Sequence, residues 1–306
     1  MEFTDHEKAE SGQQLQGNRV EPRLTLASSI PLQAFQAAGE EFLQQDIGSK
    51  RTMKNIALEI CLESVDAVIA SERGGADRVE LCANLLEGGT TPSAGTIRTA
   101  RERSGIAINV MVRPRGGDFL YTETEFASMQ HDIRTAKELG ANGIVLGLLR
   151  SDGTVDVERT RQLVELAAPL PVTFHRAIDV SRDLLEALEA VISTGAARIL
   201  TSGGQPSVVA GAPKVAEMIK AAGNRIIIMP GCGITQDNIR SIIETTGARE
   251  VHIALDQELP SPMQFRKTEI PMGGVESREY LRFATPESDV RRVAELVKSL
   301  PWPLLT

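Results

Sequence analysis

Residues 58–61 read Leu-Glu-Ile-Cys and residues 79–82 read Val-Glu-Leu-Cys. Successive side chains of a β-strand point to opposite faces, so each segment has one apolar face and one face that carries Glu and Cys. In a parallel barrel covered by helices, the apolar face packs against the helices and the other faces the barrel axis. Barrel interiors are normally filled with branched apolar side chains, and carboxylates there are costly unless the protein uses them. The two segments therefore indicate a fold and a functional site together.

Strand and helix patterns alternate from residue 54 onward. The eight predicted strands are 56–61, 78–82, 106–113, 143–148, 171–175, 198–201, 225–229 and 250–254. The predicted helices are 64–73, 93–103, 124–139, 157–167, 182–193, 207–222, 235–245 and 287–299. Eight βα units in about 250 residues have the size of a (β/α)8 TIM barrel. A doubly wound open sheet is the alternative, but no Gly-x-Gly-x-x-Gly follows the first strand, so we predict the barrel.

Composition limits the classes of function. The chain has 306 residues, 42% of them hydrophobic, which is enough for a large core. A net charge of −8 argues against nucleic acid or an anionic membrane surface as the main partner. No apolar run approaches the roughly 18 residues that span a bilayer, and the N-terminal residues lack a signal-peptide pattern. Three cysteines do not make a disulfide framework, so we expect a cytoplasmic protein with reduced thiols.

Residues 1–52 differ from the rest of the chain. They are rich in Gln, Glu and Ala and contain no clear strand pattern. Met53 precedes the first predicted strand and would serve as a natural start of the barrel. We therefore predict a weakly ordered, largely disordered N-terminal extension over residues 1–52 and a single barrel domain over residues 53–306.

The same alternation of faces predicts the contents of the barrel interior. The inward residues are then Glu59, Cys61, Glu80, Cys82, Asn109, Met111, Arg113, Thr173, His175 and His252. Most of them lie near the carboxyl ends of their strands, where the active sites of such barrels are built. A buried ion-pair network that serves stability is the alternative, although buried pairs often stabilise no better than well-packed apolar residues. We interpret the set as a functional site and expect shifted pKa values there.

Cys61 and Cys82 occupy equivalent ends of adjacent strands, which lie about 4.8 Å apart. Two thiolates at this separation suit a soft ion, and Cu(I) is the natural candidate, with Met111 as a third ligand. Zinc is a weaker candidate, although His175 and the glutamates can complete such a site. The alternative is that both cysteines are small buried apolar residues, since no C-x-x-C motif is present.

Loops that follow two of the strands have features of an anion-binding site. Arg113 and Arg115 stand beside paired glycines after the third strand, which suits a carboxylate or phosphate. The alternative is that Arg115 and Asp118 only hold the loop in place. Gly231 and Gly233 follow the seventh strand, where many barrels bind phosphate, although glycines also serve tight turns.

His175 closes the fifth strand, and Asp179 follows it closely. A histidine with a carboxylate that orients its ring can act as a general acid or base. An isolated histidine is more often a hydrogen-bonded structural residue, but convergence with Glu59 and Glu80 favours a catalytic role for all three. Asp179 and His252 complete the predicted substrate-binding set with the arginines and glycines of the loops.

The chain closely resembles the CutC family of copper homeostasis proteins. The matching stretches are LEICLESVDAVIASERGGADRVELCANLLEGGTTPSAGTI (58–97), VMVRPRGGDFLY (110–121), PVTFHRAID (171–179), RILTSGG (198–204), IIIMPGCGIT (226–235) and PMQFRK (262–267). The resemblance covers essentially all of residues 54–306 and implies a cytoplasmic TIM barrel, a copper-linked function and self-association into a homo-oligomer. The cysteines to which copper binding is attributed in some relatives correspond to Cys61 and Cys82. The chain departs from the family at Cys232, where glycine is expected, and residues 1–52 have no counterpart.

Two functions are consistent with these residues, and a third stays open. The first is binding of Cu(I) by Cys61 and Cys82 in copper homeostasis. The second is an enzyme that acts on a small anionic or phosphorylated metabolite through Glu/His acid–base chemistry, since metal binding does not explain the carboxylates and the arginine loop. The third is a scaffold whose oligomer surface matters more than the barrel mouth.

Overall fold

A parallel barrel forms the main part of the protein. The computed structural model describes residues 56–273, 275 and 278–302, so the predicted extension over residues 1–52 lies outside the described residues. The barrel strands are β1 (Ala57–Leu62), β2 (Arg78–Leu81), β3 (Ala107–Met111), β4 (Gly143–Leu146), β5 (Val172–Phe174), β6 (Arg198–Thr201), β7 (Ile227–Pro230) and β8 (Glu250–Ala254). Their hydrogen-bonded order is β7-β6-β5-β4-β3-β2-β1-β8. Since β7 and β8 also contact each other, the sheet closes on itself.

A helix follows each barrel strand. The helices are α1 (Val65–Gly74), α2 (Ala94–Arg103), α3 (Glu123–Glu138), α4 (Val157–Ala167), α5 (Leu184–Ile192), α6 (Val208–Ala222), α7 (Ile239–Thr246) and α8 (Glu287–Ser299). The alternation and the closed order confirm the predicted (β/α)8 barrel and exclude the open sheet. No helix within the described ranges is long and apolar enough to cross a bilayer.

Local signals set the ends of the helices. Ser64 accepts a hydrogen bond from the backbone N–H of Ala67 and starts α1, which ends at Gly75 with a φ of 87°. Thr122 and Glu125 form a capping box at the start of α3. Such hydrogen bonds explain why the predicted helix boundaries lie within two residues of the observed ones, except at α7, which was predicted to start at residue 235 and begins at Ile239 without a side-chain cap.

The alternation of side chains divides the buried residues into two groups. Outward residues of the strands, such as Leu58, Ile60 and Val79, belong to the large apolar core shared with the helices. Inward residues form a separate small cluster, which consists of Cys61, Cys82, Met111 and Val145 with Leu85 packed against it. The predicted assignment of faces on β1, β2 and β3 is therefore confirmed.

A two-stranded hairpin interrupts the last βα unit and was not predicted. Its strands are β9 (Gln257–Pro260) and β10 (Leu281–Ala284), which pair antiparallel between β8 and α8. All four residues of β9 are exposed. β9 has no alternating apolar pattern, and β10, which alternates at Leu281, Arg282 and Phe283, is only four residues long, so hydrophobic periodicity did not identify the pair.

Candidate functional site

Strand register brings four side chains together inside the barrel. Cys61 of β1 lies beside Glu80 of β2, and Glu59 of β1 lies beside His252 of β8. Cys82 follows β2 on the same face as Glu80, and all of these side chains are buried. Cys61, Glu80, Cys82 and His252 are called the central cluster below.

Glu59 holds the imidazole of His252 in place. The Nδ1 atom of His252 lies 2.7 Å from Oε1 of Glu59. The other carboxylate oxygen, Oε2, accepts hydrogen bonds from Nε of Arg78 at 2.6 Å and from Nδ2 of Asn109 at 2.8 Å. Because the carboxylate is fixed on both sides, Nδ1 of His252 donates to it and Nε2 is directed towards Glu80.

Glu80 is the centre of the central cluster. Its Oε2 atom accepts from the thiols of Cys61 at 3.3 Å and Cys82 at 3.5 Å. The same oxygen lies 3.7 Å from Nε2 of His252. The second oxygen, Oε1, is buried and has no hydrogen-bond partner within the described part of the chain. A buried acceptor without a partner is rare and marks a place where a ligand can bind.

Burial and neighbouring charges shift the pKa values of the two carboxyl groups in opposite directions. Burial opposes the ionisation of Glu59, but the Arg78 guanidinium and the hydrogen bond from His252 outweigh it and hold the pKa well below its usual range. Burial raises the pKa of Glu80 well above its usual range, and the nearby negative charges of Cys61 and Glu59 add to the effect. The surroundings therefore favour the ionised form of Glu59 and the protonated form of Glu80.

The pKa values of the two thiols also separate. A hydrogen bond with Cys82, aided by His252, lowers the pKa of Cys61 to about 5 despite burial. The same hydrogen bond, together with burial, raises the pKa of Cys82 well above its usual value. Burial opposes protonation of His252, but Glu80 and Cys61 raise its pKa. The pKa shifts therefore make the Cys61 thiol easier to ionise than the Cys82 thiol, and they favour the protonated form of His252.

A turn after β2 covers the two sulfur atoms. This covering loop comprises residues 83–90 and is closed by a bridge between Ala83 and Thr90. Gly89 has a φ of 87°, and a Cβ atom there would stand 3.1 Å from the sulfur of Cys82 and 3.6 Å from Cε of Met111. The loop therefore passes directly over the cysteines, and only glycine fits at this point.

Arg113 holds the covering loop. Its Nη1 donates to the carbonyl oxygens of Glu87 at 2.6 Å and Gly89 at 2.8 Å, and its Nη2 donates to that of Gly117 at 2.8 Å. The guanidinium also lies over the ring of Phe119, 5.1 Å from its centroid. Only Nε of this arginine is buried with no partner in the parts of the chain that are described.

His175 also lies beside Phe119. Its ring centroid is 5.0 Å from that of Phe119, and its Nδ1 accepts the backbone N–H of Ala177 at 3.1 Å. The proton is therefore on Nε2, a buried donor without a partner among the residues described. Burial and the charge of Arg113 lower the pKa of His175 to about 3, so its ring is neutral at physiological pH. The structure thus groups His175 with Arg113 and Phe119, and it groups His252 with the glutamates.

Other predicted binding residues are engaged in structural contacts. Arg115 pairs with Glu125 at 2.6 Å and with Asp118 at 3.0 Å. Asp179 accepts hydrogen bonds from the backbone N–H groups of Ser202 and Gly204, and so shapes the turn after β6. Arg115 therefore holds the loop after β3, and Asp179 holds the turn after β6.

The glycines after β7 allow close packing. The N–H of Gly231 donates to the carbonyl of Thr201 at 3.0 Å, and a Cβ atom at Gly231 would stand 3.2 Å from the ring of His252. Gly233 and Cys232 both have a φ of 76°. The sulfur of Cys232 lies near the carbonyl of Pro206, away from the central cluster.

Sequence reasoning missed three charged residues below the central cluster. Arg78 pairs with Glu250 as well as with Glu59, and Nη2 of Arg198 lies 3.0 Å from Oε1 of Glu250. The signal was available for Arg78 and Glu250, because they share strand faces with Glu80 and His252. Phe119, also missed, lies within the arginine loop that was noted for its glycines.

The fold and the site define the class of protein: a TIM barrel whose interior carries a cluster of thiol, carboxyl and imidazole groups from β1, β2 and β8. The chain belongs to the CutC family, whose family model matches residues 56–257. A CutC family protein of Parabacteroides distasonis is 51% identical, over 79% of this chain and 98% of that protein. The human copper homeostasis protein cutC homolog is 42% identical, over 83% of this chain and 93% of that protein. The crystal structure of CutC from Streptococcus agalactiae is 36% identical, with a TM-score of 0.61, and covers 64% of this chain and 97% of that one.

Proposed function

We propose that the protein acts in copper homeostasis in the cytoplasm by binding Cu(I) at Cys61 and Cys82. The observation that carries the proposal is the position of the two sulfurs, which both contact Oε2 of Glu80 and lie within 4.8 Å of each other. Thiolate sulfur is the preferred ligand of Cu(I), and two sulfurs suffice for it. The names of the human and mouse relatives as copper homeostasis proteins support this reading.

The surroundings of the sulfurs suit a soft ion. Met111 packs in the same small cluster and offers a thioether as a third ligand. Both cysteines are buried, with Val145 and Leu85 of the covering loop packed in the same cluster, and a site shielded from solvent favours the reduced ion over the hydrated oxidised one. The residues present therefore fit Cu(I), with Cys61 and Cys82 as the ligands and Met111 beside them.

Competition with a chromogenic Cu(I) chelator under reducing conditions tests the proposal. We expect the purified protein to withdraw one Cu(I) per chain, and a variant with Cys61→Ser and Cys82→Ser to lose this ability. Cys232→Ser is the matched control, because it removes the third cysteine, which lies away from the cluster. Equal Cu(I) affinity in the double variant and the control would reject the proposal.

A second function has separate support from His175 and Arg113. Nε2 of His175 and Nε of Arg113 are buried donors without partners in the described ranges. The imidazole ring and the guanidinium group both lie against the ring of Phe119. Two such donors suit the oxygen of a small anionic metabolite, and Glu80 with its raised pKa would supply or accept a proton. The second candidate function is therefore an acid–base enzyme, in which His175 and Arg113 hold the anion and Glu80 transfers the proton.

Thermal denaturation with a panel of phosphosugars and organic acids tests the enzyme. We expect at least one compound to stabilise the copper-free protein and to lose its effect in His175→Phe, while Cu(I) binding by that variant stays unchanged. Stabilisation by copper alone, with no effect of any compound on the wild-type protein, would leave only the copper function.

A further inference from the structure

The distances around Glu80 describe more than a two-sulfur site. Its Oε2 atom lies 3.3 Å from the sulfur of Cys61, 3.5 Å from that of Cys82 and 3.7 Å from Nε2 of His252. All four groups are buried inside the barrel. Two of them are soft sulfur donors, and the other two are the oxygen and nitrogen donors that Cu(I) does not need.

These separations match the edges of a metal tetrahedron. With Zn–S bonds of about 2.3 Å and Zn–N or Zn–O bonds of about 2.0–2.1 Å, neighbouring ligand atoms of a tetrahedral ion stand roughly 3.3–3.8 Å apart. The three separations from Glu80 fall within this range. The ligand atoms of Cys61, Glu80 and Cys82 already lie within 4.8 Å of one another, whereas those of His252 have this spacing only with Glu80 and Glu59, so the imidazole must move towards the sulfurs to complete the set of four.

The imidazole of His252 is oriented as a metal ligand would be. Metal-binding histidines almost always donate their second ring N–H to a carboxylate or carbonyl oxygen, which fixes the tautomer and the ring. Here Nδ1 donates to Glu59 at 2.7 Å, and Glu59 is itself held by Arg78 and Asn109. Nε2, the ring nitrogen that would bind the ion after losing its proton, is thereby directed at Glu80.

The partnerless oxygen of Glu80 is an independent indication of a ligand. Oε1 is buried with no hydrogen-bond donor in the described part of the protein, although Oε2 of the same carboxylate faces two thiols. A cation bound to Oε2 would also attract Oε1 of the same carboxylate, the oxygen that the described residues leave unpaired. A Cu(I) ion held by sulfur alone would not.

The geometry points to a four-ligand site for a divalent zinc-type ion, formed by Cys61, Cys82, Glu80 and His252. Such a site is closed, with no position left for water or substrate, so it holds the ion and does not activate it. The inference rests on the proposed function in one respect, namely that the same two thiols bind Cu(I). Zn2+ and Cu(I) must then compete for the protein.

Direct binding of Zn2+ and Co2+ tests this inference. We expect the reduced protein to bind one Zn2+ per chain in competition with a chromogenic chelator, and Co2+ to give the intense visible absorption of a tetrahedral thiolate complex. Glu80→Gln and His252→Gln should each weaken Zn2+ binding by about tenfold or more, on the scale seen even for residues that only support ligands. Cu(I) affinity should change far less in both variants. His175→Gln, the other inward histidine, is the matched control and should bind Zn2+ like the wild type.

X-ray absorption of the zinc-loaded wild-type protein gives a readout that does not depend on how the variants fold. Two sulfur and two nitrogen or oxygen neighbours are expected, and a shell without nitrogen or oxygen would overturn the four-ligand site. Binding of Cu(I) without Zn2+ would reject this inference and leave the proposed function intact. Binding of Zn2+ without Cu(I) would reject the proposed Cu(I) function and leave the four-ligand zinc site intact.

Discussion

At the scale of single residues, His175 is the clearest case of a side chain whose charge is set by the fold. Its ring is enclosed, it lies near the positive charges of Arg113 and Arg176, and its pKa falls to about 3. In the unfolded chain a histidine has a pKa of about 6.5. The folded state thus excludes a proton that the unfolded state accepts.

This difference makes stability depend on pH. Between about pH 6.5 and pH 3 the unfolded chain binds the proton and the folded chain does not, so stability is present above that window and is lost as pH falls through it. We expect His175→Gln to reduce the slope of unfolding free energy against pH by about 1.4 kcal/mol per pH unit within the window. Urea denaturation at several pH values measures the slope. Parallel curves for variant and wild type would show that His175 can be protonated in the folded protein.

The central cluster shows which residue-level predictions the sequence supports. The alternation on β1 and β2 was enough to place Glu59, Cys61, Glu80 and Cys82 in the interior, because neighbouring side chains of a strand must face opposite ways. The partner of Glu59 could not be found that way. His252 is far away in sequence and becomes a neighbour only because the barrel closes and places β8 next to β1.

At the scale of elements, the covering loop controls the surroundings of the cysteines. Arg113 donates to two carbonyls of this loop and to Gly117, while Glu63 accepts the backbone N–H of Leu85 at 2.8 Å. Leu85 packs on the sulfur cluster from the same loop. The loop is therefore tied to β1 on one side and to the end of β3 on the other.

Arg113→Lys should loosen the covering loop, because a single ammonium group cannot reproduce the planar arrangement of donors in a guanidinium. We expect faster amide hydrogen exchange in residues 84–90 and faster reaction of Cys82 with a thiol reagent in the folded protein. Arg115→Lys is the control, since that arginine lies in the same segment but contacts Glu125 and Asp118. Equal rates in the two variants would show that other contacts hold the loop.

Elements also mark the limits of sequence analysis. All eight barrel strands and all eight helices that follow them could be predicted, because each has an apolar face and five of the helices begin at a side chain that caps the first turn. The β9–β10 hairpin could not, since β9 is exposed, β10 has only four residues, and their pairing joins residues separated by a long loop. Hydrophobic periodicity identifies a strand by its buried face, and β9 has no buried face.

At the scale of the whole molecule, a chain of buried charges links four barrel strands. Glu59 of β1 pairs with Arg78 of β2, Arg78 pairs with Glu250 of β8, and Glu250 pairs with Arg198 of β6. The Glu250–Arg198 ion pair connects β8 with β6, across the place where the two ends of the sheet meet. Its charges sum to zero, which allows all of them to be buried.

The whole-molecule role of this network can be measured by a double-mutant cycle at Arg198 and Glu250. Glu250→Leu leaves Arg198 without its carboxylate, and an unpaired buried charge costs about 3–5 kcal/mol of stability. The double variant, with Arg198→Met added, removes both charges and leaves Arg78 paired with Glu59. We expect the double variant to recover most of the lost stability in urea denaturation, since well-packed apolar residues can replace a buried ion pair. A double variant as unstable as Glu250→Leu alone would mean that the charges themselves, through their hydrogen bonds across the barrel, hold the strands in register.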